Sequence, residues 1–171
     1  MVPRLVWADF QDLDRELLYS ILQLRNEVFI VEQQSLFADI DGLDRHARHL
    51  QLFVDDELAG YLRLLSPGSD GDARVVISRV LLRKTARGKG LGRILMEAAL
   101  AESQKRFGQR LVCLSAQIGQ EAFYNRLGFT RLAGAPYDDA GILHIDMAHK
   151  QTRAGRQGTF EGSGSADETS S

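Results

Sequence analysis

The chain has 171 residues, of which 44% are hydrophobic, and its formal net charge is −2 at pH 7. It is long enough to bury one sizeable core, and its charge argues against a dedicated nucleic-acid binder, which usually carries a clustered basic excess. No apolar run approaches the roughly 20 residues of a membrane span, and the N-terminus lacks a signal-peptide pattern. The single Cys113 has no disulfide partner within the chain. From these observations together we expect a cytoplasmic protein without membrane or nucleic-acid partners.

Alternating and apolar runs predict four strands in the first half of the chain and three in the second. The predicted strands lie at residues 5–10, 49–56, 58–65, 73–82, 110–116, 128–134 and 142–148. The strand at 73–82 is β-branched and mostly apolar, which favours burial on both of its faces. Asp55 and Asp56 mark a tight turn between the second and third strands.

Three segments predict helices. The first begins near Asp12, a candidate cap, and places an apolar face inward; the second spans 91–107 and the third 120–127. The inward residues are Leu17, Ile21, Leu24 and Val28 in the first helix and Leu91, Ile94, Leu95 and Ala98 in the second. One βαβ crossover joins 73–82 to 110–116, which predicts an α/β fold with a mixed sheet and helices on both faces.

The C-terminal segment differs in composition from the rest of the chain. From Gln151 onward it is rich in Gly, Ser, Thr and charge, and Phe160 is its one large apolar side chain. Such a segment buries too little apolar surface to offset the entropy of ordering it. We therefore predict one folded domain at 1–150 and a disordered tail at 151–171.

A glycine-rich loop, Thr85 to Leu95 (TARGKGLGRIL), joins the strand at 73–82 to the second helix. Glycines that open a helix leave unpaired amides at the positive end of the helix dipole, a place that favours the binding of a phosphate group. The spacing fits neither G-x-x-x-x-G-K-[ST] nor G-x-G-x-x-G, so a nucleoside triphosphate loop and a dinucleotide loop are both disfavoured.

Two motifs together resemble the GNAT family of N-acetyltransferases. Residues 87–92 (RGKGLG) match its coenzyme A loop, and 123–129 (FYNRLGF) match its (F/L)-Y-x-x-x-G-F helix. The resemblance extends over about residues 5–148 and implies the acyl-CoA N-acyltransferase fold, whose mixed central sheet is mostly antiparallel. The stretches LRNEVFIVEQ, DGLD, LSAQ and GILHIDM are similar to the ElaA-like branch of that family.

The resemblance implies that acetyl-CoA is the cofactor and assigns residues to it. The backbone of Val80, Leu81 and Leu82 would hydrogen-bond the pantetheine arm as an added strand does. The pyrophosphate would be held by the loop residues Arg87, Gly88, Lys89, Gly90, Leu91 and Gly92. Lys89 is equally well interpreted as a solvated surface residue.

The same resemblance assigns the chemistry of acyl transfer. Tyr124, with a reference pKa of about 10, would act as the general acid that protonates the departing thiolate. An amide near Leu82 would stabilise the thioester oxygen, and Gln117 stands where the family often carries a cofactor-contacting Asn. No metal is implied.

The acceptor side is less specific in sequence. Glu32 is the candidate base and a substrate-binding candidate, although a carboxylate at a helix end explains it equally well. Asp41 and Asp44 are further substrate-binding candidates, with loop capping as their alternative. Arg79 lies within an apolar strand, so we expect it to pair with an acid of residues 39–44 and order the acceptor pocket. His49 and His144 are interpreted as structural.

The predicted activity is transfer of acetyl from acetyl-CoA to a primary amine of a small molecule or peptide, by direct attack on the thioester. A homodimer is common in the family. Two alternatives stay open: a non-catalytic acyl-CoA-binding module, and an enzyme like the acyl-homoserine-lactone synthases, because RNEVF precedes a D-x-D-G-x-D segment here.

Overall fold

A computed structural model describes residues 2–68 and 73–151. Its helices are α1 (Arg15–Arg25), α2 (Leu91–Phe107) and α3 (Glu121–Asn125). Its strands are β1 (Arg4–Asp9), β2 (Ala47–Val54), β3 (Glu57–Leu65), β4 (Val75–Leu82), β5 (Val112–Gln117), β6 (Thr130–Arg131), β7 (Tyr137–Asp139) and β8 (Ile142–His149). The predicted tail lies outside the described residues except for Gln151. No helix in the described ranges is long and apolar enough to cross a bilayer.

The eight strands form one sheet in the order β1-β2-β3-β4-β5-β8-β6, with β7 also paired to β8. Every pairing is antiparallel except that of β4 with β5. The parallel pairing comprises only Val75 with Val112 and Val76 with Cys113, so the two strands separate beyond it. The predicted mixed, mostly antiparallel sheet is confirmed, and it contains an internal opening.

Helices lie on both faces of the sheet, as predicted, and each face has its own apolar cluster. On one face, Leu62 and Leu64 of β3 join Leu95 of α2 in the larger cluster. On the other face, Tyr61 joins Ile21 and the rest of the α1 stripe. Side chains alternate along a strand, so consecutive residues of β3 serve opposite cores.

The first helix differs from its prediction in its cap and its end. Asp14 rather than Asp12 is the N-cap, since its side chain accepts a hydrogen bond from the Leu17 amide at 2.7 Å. Beyond Arg25 the chain continues as a π-helix over Asn26–Glu32, a rare form often found at functional sites. The buried face of α2 is also displaced from the prediction: Met96 and Ala99 are buried with Leu91 and Leu95.

Two strand predictions need correction. The strand expected at 128–134 shrinks to the two residues of β6, and the exposed β7 was not predicted. The expectation that the 73–82 strand is buried on both faces is also wrong, because five of the eight residues of β4 are only half-buried. Its half-buried residues line the opening to β5.

Candidate active site

The separation of β4 from β5 opens a cleft of about 560 Å³. One wall is the edge of β4 from Val76 to Leu82, and the other includes Leu114 of β5 and Tyr124 of α3. The π-helix and the irregular segment after it close one side through Phe29 and Phe37. The cleft therefore has an exposed backbone edge, a phenol and aromatic walls.

The glycine loop lies where α2 begins, at the cleft. Gly88 and Gly90 have φ of 74° and 75°, and a Cβ on either would meet no atom within 4 Å. The N-terminus of α2 has no side-chain cap, and in the described chain the amides of Gly90, Leu91 and Gly92 donate to no backbone oxygen. This loop offers free donors at the positive end of a helix, an arrangement suited to an anion.

Strand alternation directs a backbone donor of β4 into the cleft. The Arg83 amide donates to the Ala59 carbonyl at 2.8 Å, toward β3. Successive residues of a strand direct their backbone groups to opposite edges, so the Leu82 N–H points away from β3. Its carbonyl points the same way, since it accepts from Arg87 Nε at 3.0 Å.

Tyr124 is 8% exposed and lines the cleft. Its ring packs edge-on against Phe123 and Phe129, with centroids 5.1 and 5.9 Å away. Burial disfavours the phenolate and raises the pKa of Tyr124 to about 12. The hydroxyl therefore keeps its proton at neutral pH and is available in the cleft as a hydrogen-bond and proton donor.

Six charged residues form an arginine–aspartate cluster beside the cleft: Arg25, Asp39, Asp41, Asp44, Arg63 and Arg79. Arg25 joins Asp39 (Nε–Oδ2, 2.9 Å) to Asp44 (Nη1–Oδ1, 2.7 Å). Arg63 binds both oxygens of Asp41 at 2.8 Å. Three cations and three anions balance each other, which is what burial of such charges requires.

Arg79 connects this cluster to the cleft. Its Nε lies 2.7 Å from Asp39 Oδ1 and its Nη2 lies 3.1 Å from Asp41 Oδ2, so the predicted pairing with residues 39–44 is confirmed. Its guanidinium also sits 5.0 Å from the ring centroid of Phe37. Arg79 has a φ of 55°, at an irregularity in the β3–β4 register. The ion pairs thus hold an unfavourable backbone conformation in place.

We expect the cluster to make the fold sensitive to acid. Burial would raise the pKa of the Asp41 carboxyl, but hydrogen bonds from Arg63 and the Leu43 amide lower it far below its ordinary value. The ionised Asp41 carboxylate therefore contributes fully to the free energy of unfolding above its unfolded-state pKa of about 4, and this contribution declines as the pH falls further. Urea unfolding between pH 7 and pH 3 should show this decline, and Asp41→Asn should reduce it. An equal decline in both proteins would contradict the assignment.

Glu32 lies by the glycine loop, not in the cleft lining. Its carboxylate pairs with Arg87 through two contacts, of which Nη2–Oε2 measures 3.1 Å. The hydrogen bond from Arg87 lowers the pKa of Glu32, which weakens it as a proton acceptor. Its role as the base stays a prediction without geometric support. Lys89 is turned to its own loop, where Nζ donates to the Thr85 carbonyl at 2.9 Å.

Several cleft residues were missed by the sequence predictions, among them Gln33, Ser35, Ser115 and Asp139. Gln117, which was predicted, donates through Nε2 to Gln33 Oε1 at 3.0 Å. A signal for Ser115 did exist, because polar residues alternate with apolar ones in LSAQ. Gln33 and Ser35 belong to an irregular segment that carries no periodic pattern.

The two histidines predicted to be structural differ in their surroundings. His49 is 1% exposed, and both ring nitrogens are bound, to the Tyr61 hydroxyl at 2.7 Å and the Asp44 carbonyl at 2.9 Å. That arrangement is structural, as predicted. His144 is half-buried and lines the cleft.

Comparison with known proteins identifies the family. The family model for an acetyltransferase (GNAT) domain matches residues 13–151. The chain belongs to the GNAT family. Membership supports acyl transfer as its general chemistry.

Relatives within the GNAT family place the chain near ElaA. It is 36% identical to Escherichia coli ElaA over 152 residues, 86% of this chain and 98% of that protein. It is 39% identical to a UPF0039 protein of Synechocystis over 142 residues, 82% and 91% of the respective chains.

Solved structures give the same placement. An acyl-CoA N-acyltransferase from Pseudomonas aeruginosa superposes with a TM-score of 0.81 and 39% identity, covering 86% of this chain and 99% of that one. The crystal structure of E. coli ElaA superposes with a TM-score of 0.81 and 34% identity, covering 87% of this chain and 100% of that one. The chain is thus an ElaA-like GNAT protein.

Proposed function

We propose that the protein is an acetyl-CoA-dependent N-acetyltransferase that moves an acetyl group to a primary amine by direct attack on the thioester. The observation that carries the proposal is the buried, protonated Tyr124 in the same cleft as the open edge of β4. A phenol at that place can supply a proton to a leaving group held along the strand.

The residues present fit coenzyme A. An extended pantetheine arm can pair with the β4 edge at Val80, Leu81 and Leu82, which has no strand partner there. A pyrophosphate can accept from the free amides of the 88–92 loop, with positive charge nearby on Arg87 and Lys89. When bound, acetyl-CoA supplies an activated thioester, and Gln117 lies within the same cleft.

The chain's own groups then have separate tasks. The Leu82 N–H points from β4 into the cleft, where it can stabilise charge that develops on a carbonyl oxygen. Tyr124 donates its hydroxyl proton to the sulfur as the carbon–sulfur bond breaks. The arginine–aspartate cluster positions Arg79 and Phe37 at the acceptor end of the cleft, and small-molecule or peptide amines are the acceptors we propose.

A screen of primary amines with acetyl-CoA, monitored by release of free thiol, tests this function. We expect at least one amine to be acetylated in stoichiometry with the thiol. Binding of acetyl-CoA with no amine ever acetylated would instead favour a non-catalytic binding module. Lactone formed from S-adenosylmethionine with acyl-carrier protein would favour the acyl-homoserine-lactone-synthase-like alternative.

A glycine substitution tests the proposed cofactor loop. Gly90→Ala places a side chain at a φ of 75°, which costs roughly 1–2 kcal/mol in the left-handed region. We expect the loop to relax and the Kd for acetyl-CoA, measured by calorimetry, to rise. Gly42→Ala is the matched control, because Gly42 adopts the same left-handed conformation, with φ of 83°, and a Cβ there meets no atom within 4 Å, but it lies outside the glycine loop. Equal effects of both variants would contradict the role of Gly90.

A further inference from the structure

His144 occupies a defined position in the cleft. It lies on β8 directly opposite Gln117 of β5 and opposite Tyr137 of β7. Directly paired residues of neighbouring strands project to the same face of a sheet. This places the imidazole among polar side chains at the end of β5.

The tautomer of His144 follows from one contact. Its Nδ1 lies 2.8 Å from the carbonyl oxygen of Ile142. A carbonyl can only accept, so Nδ1 carries the proton, and the lone pair of the neutral ring is at Nε2. Nε2 makes no hydrogen bond within the described chain, and it is not among the buried side-chain atoms that lack a partner. It is therefore open to the cleft as a proton acceptor.

A second set of contacts fixes the orientation of the ring. Tyr137 stacks on His144 with centroids 6.2 Å apart and an angle of 25° between the planes. The Tyr137 hydroxyl donates to Asp146 Oδ1 at 2.8 Å and also contacts Ser115. The imidazole is thus held by its Nδ1 and by one ring face. Because Nε2 makes no hydrogen bond to the described chain, it can exchange a proton with a molecule in the cleft.

The charged residues around His144 favour the approach of a cationic amine to its Nε2. Asp139 lines the same cleft, and Asp146 lies two residues along β8 on the same face. Their carboxylate oxygens are acceptors that attract an ammonium group to this end of the cleft. The cations lining this cleft are Arg79, which is paired with Asp39 and Asp41, and Arg87, which is paired with Glu32. Tyr124 supplies a proton and does not compete for one.

We propose that His144 is the general base that deprotonates the acceptor amine; this assignment rests on the proposed acetyl transfer. Nε2 takes a proton from the ammonium group and releases it to solvent. The neutral amine forms the new nitrogen–carbon bond, and the carbon–sulfur bond breaks. Tyr124 protonates the sulfur, and the second proton lost by the amine nitrogen restores the Tyr124 hydroxyl. The products are one amide, one thiol and one released proton.

The test compares two nucleophiles in His144→Asn, a variant whose amide can still donate to the Ile142 carbonyl. An alkylamine is protonated at neutral pH and needs a base, whereas hydroxylamine is already unprotonated. We expect a loss of about 10²-fold or more in kcat/KM for the alkylamine, little change for hydroxylamine, and unchanged acetyl-CoA binding by calorimetry. His46→Asn, at an exposed histidine outside the cleft, should leave both rates unchanged.

Each other outcome overturns the assignment. No loss for the alkylamine would remove His144 as the base. Equal losses for both nucleophiles would give it a structural role and leave the acetyl transfer intact. A wild-type protein that binds acetyl-CoA but acetylates neither nucleophile would overturn the proposed function, and the inference with it. His144→Gln serves as the second variant if His144→Asn does not fold.

Discussion

Tyr124→Phe is expected to lower kcat by about 10²- to 10⁴-fold, the usual contribution of a positioned acid or base. The loss follows because the sulfur would have to leave unprotonated or take its proton from water. Phenylalanine keeps the ring contacts with Phe123 and Phe129, so acetyl-CoA affinity should not change. Free-thiol release gives the rate, and calorimetry gives the affinity.

Tyr19→Phe is the matched control, since Tyr19 is 69% exposed on α1. It should leave both the rate and the affinity as in the wild type. Because burial raises the pKa of Tyr124 to about 12, the hydroxyl stays protonated up to about pH 10 or 11. Its titration should therefore cause no loss of rate in that range. Unchanged turnover in Tyr124→Phe would mean that another group protonates the thiolate.

Asp44→Ala is expected to lower the free energy of unfolding by about 3–5 kcal/mol, the typical cost of leaving a buried charge without its partner. Asp44 Oδ1 accepts from Arg25 at 2.7 Å and from Arg63 at 3.0 Å. Both arginines are at most 1% exposed, so water cannot replace the lost carboxylate. Urea unfolding at pH 7 measures the change.

Two further variants sharpen that measurement. Asp44→Asn keeps an oxygen acceptor but removes the charge, so its loss should have the same sign and be smaller. Glu97→Ala breaks the exposed ion pair with Arg93 on α2 and should leave the stability unchanged, since such pairs contribute little. If Asp44→Ala and Glu97→Ala had the same small effect, the cluster would not be a stabilising core.

The order of elements was largely predictable because the apolar periods are strong. The bounds predicted for α2 match those found, since Gly90 and Gly108 flank the helix. The π-helix was not predictable, because its side chains continue the helical pattern of α1. The strand β7 has three exposed residues and exists only through pairing with β8, which no local pattern records.

The candidate site was predictable where a buried charged residue requires a partner of opposite charge. An arginine within an apolar strand requires carboxylates, and Arg79 has them. Arg25 is the last residue of the amphipathic helix α1 and Arg63 interrupts an apolar strand, yet both proved more deeply buried than Arg79. Their burial depends on how the 39–44 segment folds over β3, which is a matter of tertiary structure.

The short parallel pairing of β4 with β5 divides the sheet into two half-sheets, β1–β4 and β5–β8. The backbone hydrogen bonds that join the half-sheets are confined to the end near Val75 and Val112. On the α2 face one apolar cluster spans both halves and holds them together. On the opposite side the seam is open, and a molecule lying between the strands would become the interior strand that the chain itself does not provide. A bound ligand would then complete the sheet as well as occupy the cleft.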